Sequence, residues 1–179
     1  MRTNNAAALV LAITAVSGCA TAPRTAEDRQ DLRSASEEAL GELKAQEPGL
    51  APFLAGAHGY AVFPRIGKGG YIFGGGYGRG IVYRQGASIG YADITQATVG
   101  LQLGGQAFMQ LLVFESERDL ERFTTGRLSL TANASAVILK TGQAVATRYT
   151  DGVAVFLKPI AGAMVEASVG GQQYSFQPQ

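Results

Sequence analysis

Apolar side chains recur every three or four positions near the start of the chain, which is the period of an α-helix. They are Leu32, Ala35, Ala39, Leu40 and Leu43. Thr25 and Asp28 precede them at the spacing of a capping box, and Pro48-Gly49 ends the pattern. The pattern therefore predicts an amphipathic helix over Ala26–Gln46, about 31 Å long at 1.5 Å per residue.

A second, shorter helix is predicted over Glu117–Thr125. Ser116 and Asp119 repeat the spacing of a helix start, and Leu120 and Phe123 supply the apolar side. Because this segment is short and strongly charged, we expect one face of it to be solvated.

Most of the remaining chain has the composition of β-strands. Runs rich in Val, Ile, Tyr and Phe are separated by predicted turns at Gln85-Gly86, Gly104-Gly105, Asp151-Gly152 and Gly170-Gly171. The strongest turn signal is Asp151-Gly152, between Ala144–Tyr149 and Val153–Lys158, because a type I′ turn needs positive φ at both positions. The prediction is an α+β fold. A largely antiparallel meander forms a curved or barrel-like sheet, the N-terminal helix covers it, and one short helix is added.

Glycines follow the β alternation between Gly70 and Arg84. One parity contains Gly70, Gly74, Gly76, Gly78 and Gly80, and the other contains Tyr71, Phe73, Tyr77 and Arg79. In extended chain this gives one face of nearly bare backbone and one aromatic face. The bare face suits close packing or a groove for a lipid headgroup or acyl chain. A nucleotide-binding loop is disfavoured, because no strict glycine motif opens a helix here.

The composition of the chain excludes several kinds of functional site. The 179 residues include 15 Lys+Arg, 14 Asp+Glu, one Cys and one His. This excludes an internal disulfide framework, a Cys-based zinc cage and a two-His metal site, and it disfavours duplex nucleic acid as a partner. His58 has no acidic neighbour in sequence and is expected at the surface or at a cap. We expect no enzyme activity, cofactor or metal.

The first eighteen residues have the pattern of a secretory signal, with Arg2 before the apolar run Ala6–Val16. Ser17-Gly18 precedes Cys19, the single cysteine, so the segment resembles the lipobox of bacterial lipoproteins. The resemblance implies that residues 1–18 are removed and that Cys19 is acylated. Residues 19–25 would form a linker in a lipid-anchored envelope protein. Ala20 favours the outer membrane.

Four blocks of the chain carry a wider resemblance. They are Ala61-Val62-Phe63-Pro64, Gly67-Lys68-Gly69-Gly70, residues 99–106 and residues 165–171. Together they resemble the SYLF domain, also called the Ysc84 actin-binding domain, from about Arg29 to Phe176. The resemblance implies one non-catalytic domain over residues 26–179 that binds phosphoinositide-type headgroups. Actin bundling is not expected, because a bacterial envelope offers no actin.

Four basic residues are candidates for binding anionic headgroups. The segment 51–110 contains Arg65, Lys68, Arg79 and Arg84 but only one acid, Asp93, which we expect to pair with Arg79 or Arg84. Arginine and lysine form charge-assisted hydrogen bonds with phosphate. The predicted function is therefore a lipid-anchored envelope protein that binds anionic lipid. The alternative is a structural lipoprotein that binds an envelope protein. The helix over Ala26–Gln46 is acidic and would not favour anionic lipid.

Overall fold

A computed structural model of the protein describes residues 23–131, 136–138 and 149–179. Within these ranges the helices are α1 (Ala26–Gln46), α2 (Leu50–Ala55) and α3 (Glu117–Thr124). The strands are β1 (Gly59–Gly70), β2 (Phe73–Arg84), β3 (Ala87–Phe114), β4 (Ser129–Thr131), β5 (Ala136–Ile138) and β6 (Val153–Pro178). The predicted signal segment, Cys19 and positions 144–148 lie outside the described residues. The predicted α+β class is confirmed.

Helix α1 has the predicted bounds and the predicted cap. The Asp28 backbone N–H donates to Thr25 Oγ1 at 3.0 Å, and the Thr25 N–H donates to Asp28 Oδ2 at 3.2 Å. Helix α3 ends one residue earlier than predicted. The sequence did not predict α2, whose six residues are too few to show a period, although Leu50 and Leu54 are buried. None of the helices in the described ranges is long and apolar enough to cross a bilayer.

The sheet curls around the β1–β2 hairpin. Strand β3 pairs with β2 through its first half and with β1 through its second half, and β6 pairs with β3 along its whole length. Gln110 faces Leu157 in this pairing, yet its side-chain amide donates to the Tyr174 hydroxyl at 3.0 Å. The curl therefore brings the two ends of β6 together across a concave inner face. Only β5 pairs in parallel among the described strands.

Two of the four predicted turns are confirmed. Gln85-Gly86 has φ values of 49° and 83°, and Asp151-Gly152 has 50° and 76°, so both have the backbone of a type I′ turn. The turns predicted at Gly104-Gly105 and Gly170-Gly171 are wrong, because β3 and β6 continue through them. Gly104 is paired both to Gly70 and to Met164, so its φ of 112° bends the strand without ending it.

The core is divided between the two faces of the sheet. On the outer face, α1 and α2 pack on a cluster that includes Leu43, Leu50, Val62, Ile81, Leu111 and Phe156. On the inner face, α3 completes a cluster that includes Phe63, Ile66, Leu112, Phe114 and Phe123. An ion pair of 2.6 Å between Lys158 and Glu42 joins β6 to α1. The sheet is therefore filled on both sides at the end near α2 and α3.

Candidate functional site

The four predicted headgroup ligands do not lie in one cluster. Arg65 on β1 is directly opposite Arg79 on β2, on the outer face. Lys68 is three positions beyond Arg65, so strand alternation places it on the inner face. Arg84 ends β2, about 36 Å along the strand from Phe73 at 3.3 Å per residue. The structure therefore brings Arg65 and Arg79 together and leaves Arg84 at the other end.

Arg79 is held by the neighbouring strand. Its Nε donates to the Tyr77 hydroxyl at 2.8 Å, and that hydroxyl donates to Asp93 Oδ1, also at 2.8 Å. Arg79 Nε and Asp93 Oδ1 are 3.6 Å apart, so the predicted ion pair is confirmed. The hydrogen bond with Tyr77 is the main cause of a raised pKa at Arg79, and the Asp93 and Asp28 carboxylates contribute further. Arg79 is therefore a fixed and permanent cation.

The bare glycine face is a packing surface inside the curl. A Cβ on Gly78 would lie 2.6 Å from Ile66 Cγ1, and one on Gly80 would lie 2.8 Å from Phe63 Cδ1. A Cβ on Gly76 would lie 2.9 Å from the side-chain oxygen of Gln96. Side chains from β1 and β3 thus occupy the space along these three glycines, which resolves the alternatives left open by the sequence in favour of packing.

The opposite end of the sheet from α2 exposes a group of large apolar side chains, here named the apolar tip. It comprises Tyr71, Ile72, Phe73, Val99, Leu101 and Leu103, each between 49% and 75% exposed. The group is continuous: Phe73 is paired with Val99, and the Gly100 N–H donates to the Ile72 carbonyl at 2.9 Å. Soluble monomeric proteins rarely expose a continuous apolar patch unless it binds something.

Where β3 enters the apolar tip, its polar side chains are buried and its apolar side chains are exposed. Gln96 and Thr98 point inward and are 5% and 3% exposed, whereas Val99 points outward and is 59% exposed. Farther inside the curl, the Gln110 amide donates to Gln172 Oε1 at 3.1 Å as well as to Tyr174. Burial raises the pKa of Tyr174, so its hydroxyl remains a neutral member of this network. The tip half of the sheet thus has a polar interior and an apolar exterior.

A cleft of about 660 Å³ lies at the end opposite the apolar tip. Its walls include Lys44, His58, Tyr60 and Glu115. The backbone N–H of His58 donates to the Phe114 carbonyl at 3.0 Å, next to the pairing of β1 with β3, while the side-chain Nε2 is buried without a hydrogen-bond partner in the described part of the chain. No carboxylate is therefore placed on that nitrogen to orient it as a general base.

The described ranges contain no group of three or more His, Cys, Asp or Glu side chains that could hold a metal ion. The sequence did not identify the apolar tip, although the alternation from Gln96 to Gln106 was visible. Period-two alternation shows that two faces differ, but it does not show which of them is covered.

Comparison with known proteins shows a distant similarity. No protein-family model matches the chain. The chain is similar to Beta cell expansion factor A of Aeromonas veronii, with 25% identity over 154 residues. The matched segment is 85% of this chain and 59% of that protein, so the chain spans about three fifths of the length of the relative.

Proposed function

We propose that the protein is a non-enzymatic, lipid-anchored component of a bacterial envelope whose domain binds anionic lipid surfaces through the apolar tip. The observation that carries the proposal is the exposure of six large apolar side chains at one end of the sheet. The lipobox at Cys19 independently suggests that the chain is held at a membrane.

The chemistry of the tip suits a bilayer interface. Complete burial of a Val, Leu, Ile or Phe side chain contributes about 1.5–3 kcal/mol. Six side chains that are about half exposed would therefore contribute roughly 1 kcal/mol each on insertion. Association has its own entropic cost, so the tip alone would bind weakly and reversibly. Stable residence would come from acyl chains on Cys19, since two or three together anchor a protein.

Basic residues on the outer face of the sheet would supply the preference for anionic lipid. Arg65 and Arg79 lie next to one another on the outer face, about 20 Å along β2 from Phe73. A basic side chain at a negatively charged bilayer contributes about 1 kcal/mol to binding, and this contribution falls off within about 8 Å at about 0.15 M salt. Arg65 and Arg79 therefore contribute when the outer face of the sheet leans onto the bilayer. Asp93 already neutralises part of the Arg79 charge, so Arg65 is the better candidate for contact with headgroups.

Flotation of the chain with Cys19→Ser, which cannot be acylated, tests the proposal. Vesicles containing phosphatidylglycerol should retain this protein at about 0.15 M salt, where screening is physiological. Phe73→Ser/Leu101→Ser should lower binding roughly tenfold or more, whereas Phe73→Leu/Leu101→Ile should bind normally. Arg65→Ala should weaken binding, and its matched control Arg84→Ala should not.

Two results would overturn the proposal. One is equal retention of the serine and conservative variants, both folded by circular dichroism. The other is absence of vesicle binding combined with stoichiometric cross-linking of the tip to an envelope protein in cells. The second result would favour the structural alternative, in which the same apolar side chains contact a protein.

A further inference from the structure

The direction of α1 determines which part of the sheet lies next to the N-terminal end of this helix. Helix α1 packs against β1 and β2. Its first turn lies within electrostatic range of Arg79, whose guanidinium lowers the pKa of Asp28 in addition to the hydrogen bonds with Thr25. Lys44, in the last turn, lines the cleft beside Gly86. Helix α1 therefore starts near the middle of β2 and runs away from the apolar tip.

The segment before α1 is tied to its first turn. Arg29 Nε donates to the Pro23 carbonyl at 3.2 Å, and Arg29 Nη2 donates to the Arg24 carbonyl at 3.4 Å. Pro23 is itself buried. Cys19 is only four residues before Pro23, and four extended residues span at most about 14 Å.

These positions limit how far the apolar tip can lie from an acyl group on Cys19. Phe73 is six residues from Arg79 along β2, or about 20 Å. The tether, at most about 14 Å long, is therefore shorter than this half-strand. Because Pro23 must stay within about 14 Å of the acylated residue and the tip lies about 20 Å along β2 from Arg79, the bilayer nearest to the tip is the one that holds the anchor.

We infer that the acyl anchor and the apolar tip engage the same leaflet, so that the domain stands on its own membrane with the tip inserted and the cleft facing away. This inference rests on the proposed function. Because a short tether makes tip binding intramolecular, its effective concentration is in the millimolar range. A tip that binds weakly as a free domain would then be inserted most of the time. The cleft walls, His58 and Glu115 among them, would remain accessible from the aqueous side.

The test uses the natively acylated protein in phosphatidylglycerol vesicles. An environment-sensitive fluorophore is attached at Ile72→Cys in the tip or, as the matched control, at Arg84→Cys at the far end of β2. A lipid quencher is placed either in the vesicles that hold the protein or in a second population mixed with them. Most of the fluorescence at position 72 should be lost with quencher in the protein's own vesicles, and none with quencher in the second population. Position 84 should not respond, and the two populations should not aggregate.

The outcomes separate this inference from the function on which it rests. Quenching at position 72 by the second population, or vesicle aggregation, would mean that the tip binds a different membrane. If quencher in neither population reduces the fluorescence at position 72, while the Cys19→Ser chain still floats with vesicles, the inference of a shared leaflet would be wrong. The proposal of lipid binding would stand. Failure of the Cys19→Ser chain to float would instead remove the proposed function itself.

Discussion

Arg79 on β2 lies directly opposite Asp93 on β3, and their side chains are 3.6 Å apart on the outer face of the sheet. Tyr77 joins them, since its hydroxyl accepts from Arg79 and donates to Asp93. Arg65 lies opposite Arg79 on its other side. Like charges that face one another across a sheet destabilise it, so Asp93 offsets a repulsion as well as fixing Arg79.

Replacing Asp93 with Asn should therefore have opposite effects on stability and on lipid binding. The pair is partly exposed, so Asp93→Asn should lower the free energy of unfolding by less than about 1 kcal/mol. The same change removes a negative charge from the tip half of the outer face. It should strengthen binding to phosphatidylglycerol vesicles by at most roughly fivefold, because one charge at such a surface is worth about 1 kcal/mol and salt screens it at greater distances.

The matched control is Glu117→Gln, which makes the same change in net charge at an exposed position of α3. Flotation should show little change for this variant. Equal strengthening by both variants would mean that net charge alone sets the affinity and that the position beside the tip is irrelevant.

The parts of the fold predicted correctly are those fixed by local interactions. The bounds of α1 follow from Thr25 and Asp28, which bond to each other across three residues. The turn at Asp151-Gly152 follows from the backbone freedom of two adjacent residues. Such signals act within a few residues, so the sequence displays them directly.

The parts that could not be predicted depend on distant pairing. Gly104-Gly105 has the composition of a turn, yet β1 and β6 pair with this segment from both sides and keep it extended. The apolar tip was hidden for a related reason. Val99, Leu101 and Leu103 alternate as a buried face would, but α1 packs mainly on β1 and β2 and leaves them exposed. Arg65 and Arg79 could be proposed as ligands by type, but their adjacency required the register of β1 on β2.

The glycine face gives a prediction about stability. Gly80→Ala should lower the free energy of unfolding by about 1–3 kcal/mol, the usual cost of inserting a methyl group into a filled space. The new Cβ would contact the Val62 carbonyl and the Phe63 ring. Gly67→Ala on the adjacent strand is the control, because its Cβ would have no neighbour within 4 Å. Urea unfolding should show a change in the first variant and almost none in the second. Comparable destabilisation in both would contradict the assignment of Gly80 to a packing contact.

The two type I′ turns allow the stability cost of backbone strain to be separated from the cost of a steric collision. Gly152 and Gly86 occupy the same turn position with φ values of 76° and 83°. Alanine at either position carries a backbone cost of about 1 kcal/mol. At Gly152 the Cβ would also collide with the Asp119 carboxylate, whereas at Gly86 it would meet nothing within 4 Å. Gly152→Ala should therefore lower the urea midpoint clearly more than Gly86→Ala. Equal midpoints would show that Asp119 moves aside without cost.

The contact between Arg122 and Asp151 predicts a dependence of stability on pH. Arg122 Nη2 is 2.6 Å from Asp151 Oδ2, and its Nη1 donates to the Asp151 carbonyl at 3.1 Å. The hydrogen bond from Arg122, followed by the guanidinium charge, lowers the pKa of Asp151 below its ordinary value of 3.8. A lowered pKa in the folded state means that the unfolded chain binds more protons as the solution becomes acidic. The stabilisation is therefore complete well above pH 3.8 and is lost as the pH falls through the lower, folded-state pKa.

Asp151→Asn isolates this contribution, because asparagine suits the first position of a type I′ turn equally well. The urea midpoint of the variant should be lower than that of the parent protein near pH 6, and the difference should shrink as the pH is lowered to about 3. In a chain that already contains Arg122→Met, the same substitution should have no such pH-dependent effect, because the partner charge is gone. A difference that persists unchanged at about pH 3, or that survives in the Arg122→Met chain, would mean that the turn conformation and not the ion pair accounts for the effect of Asp151.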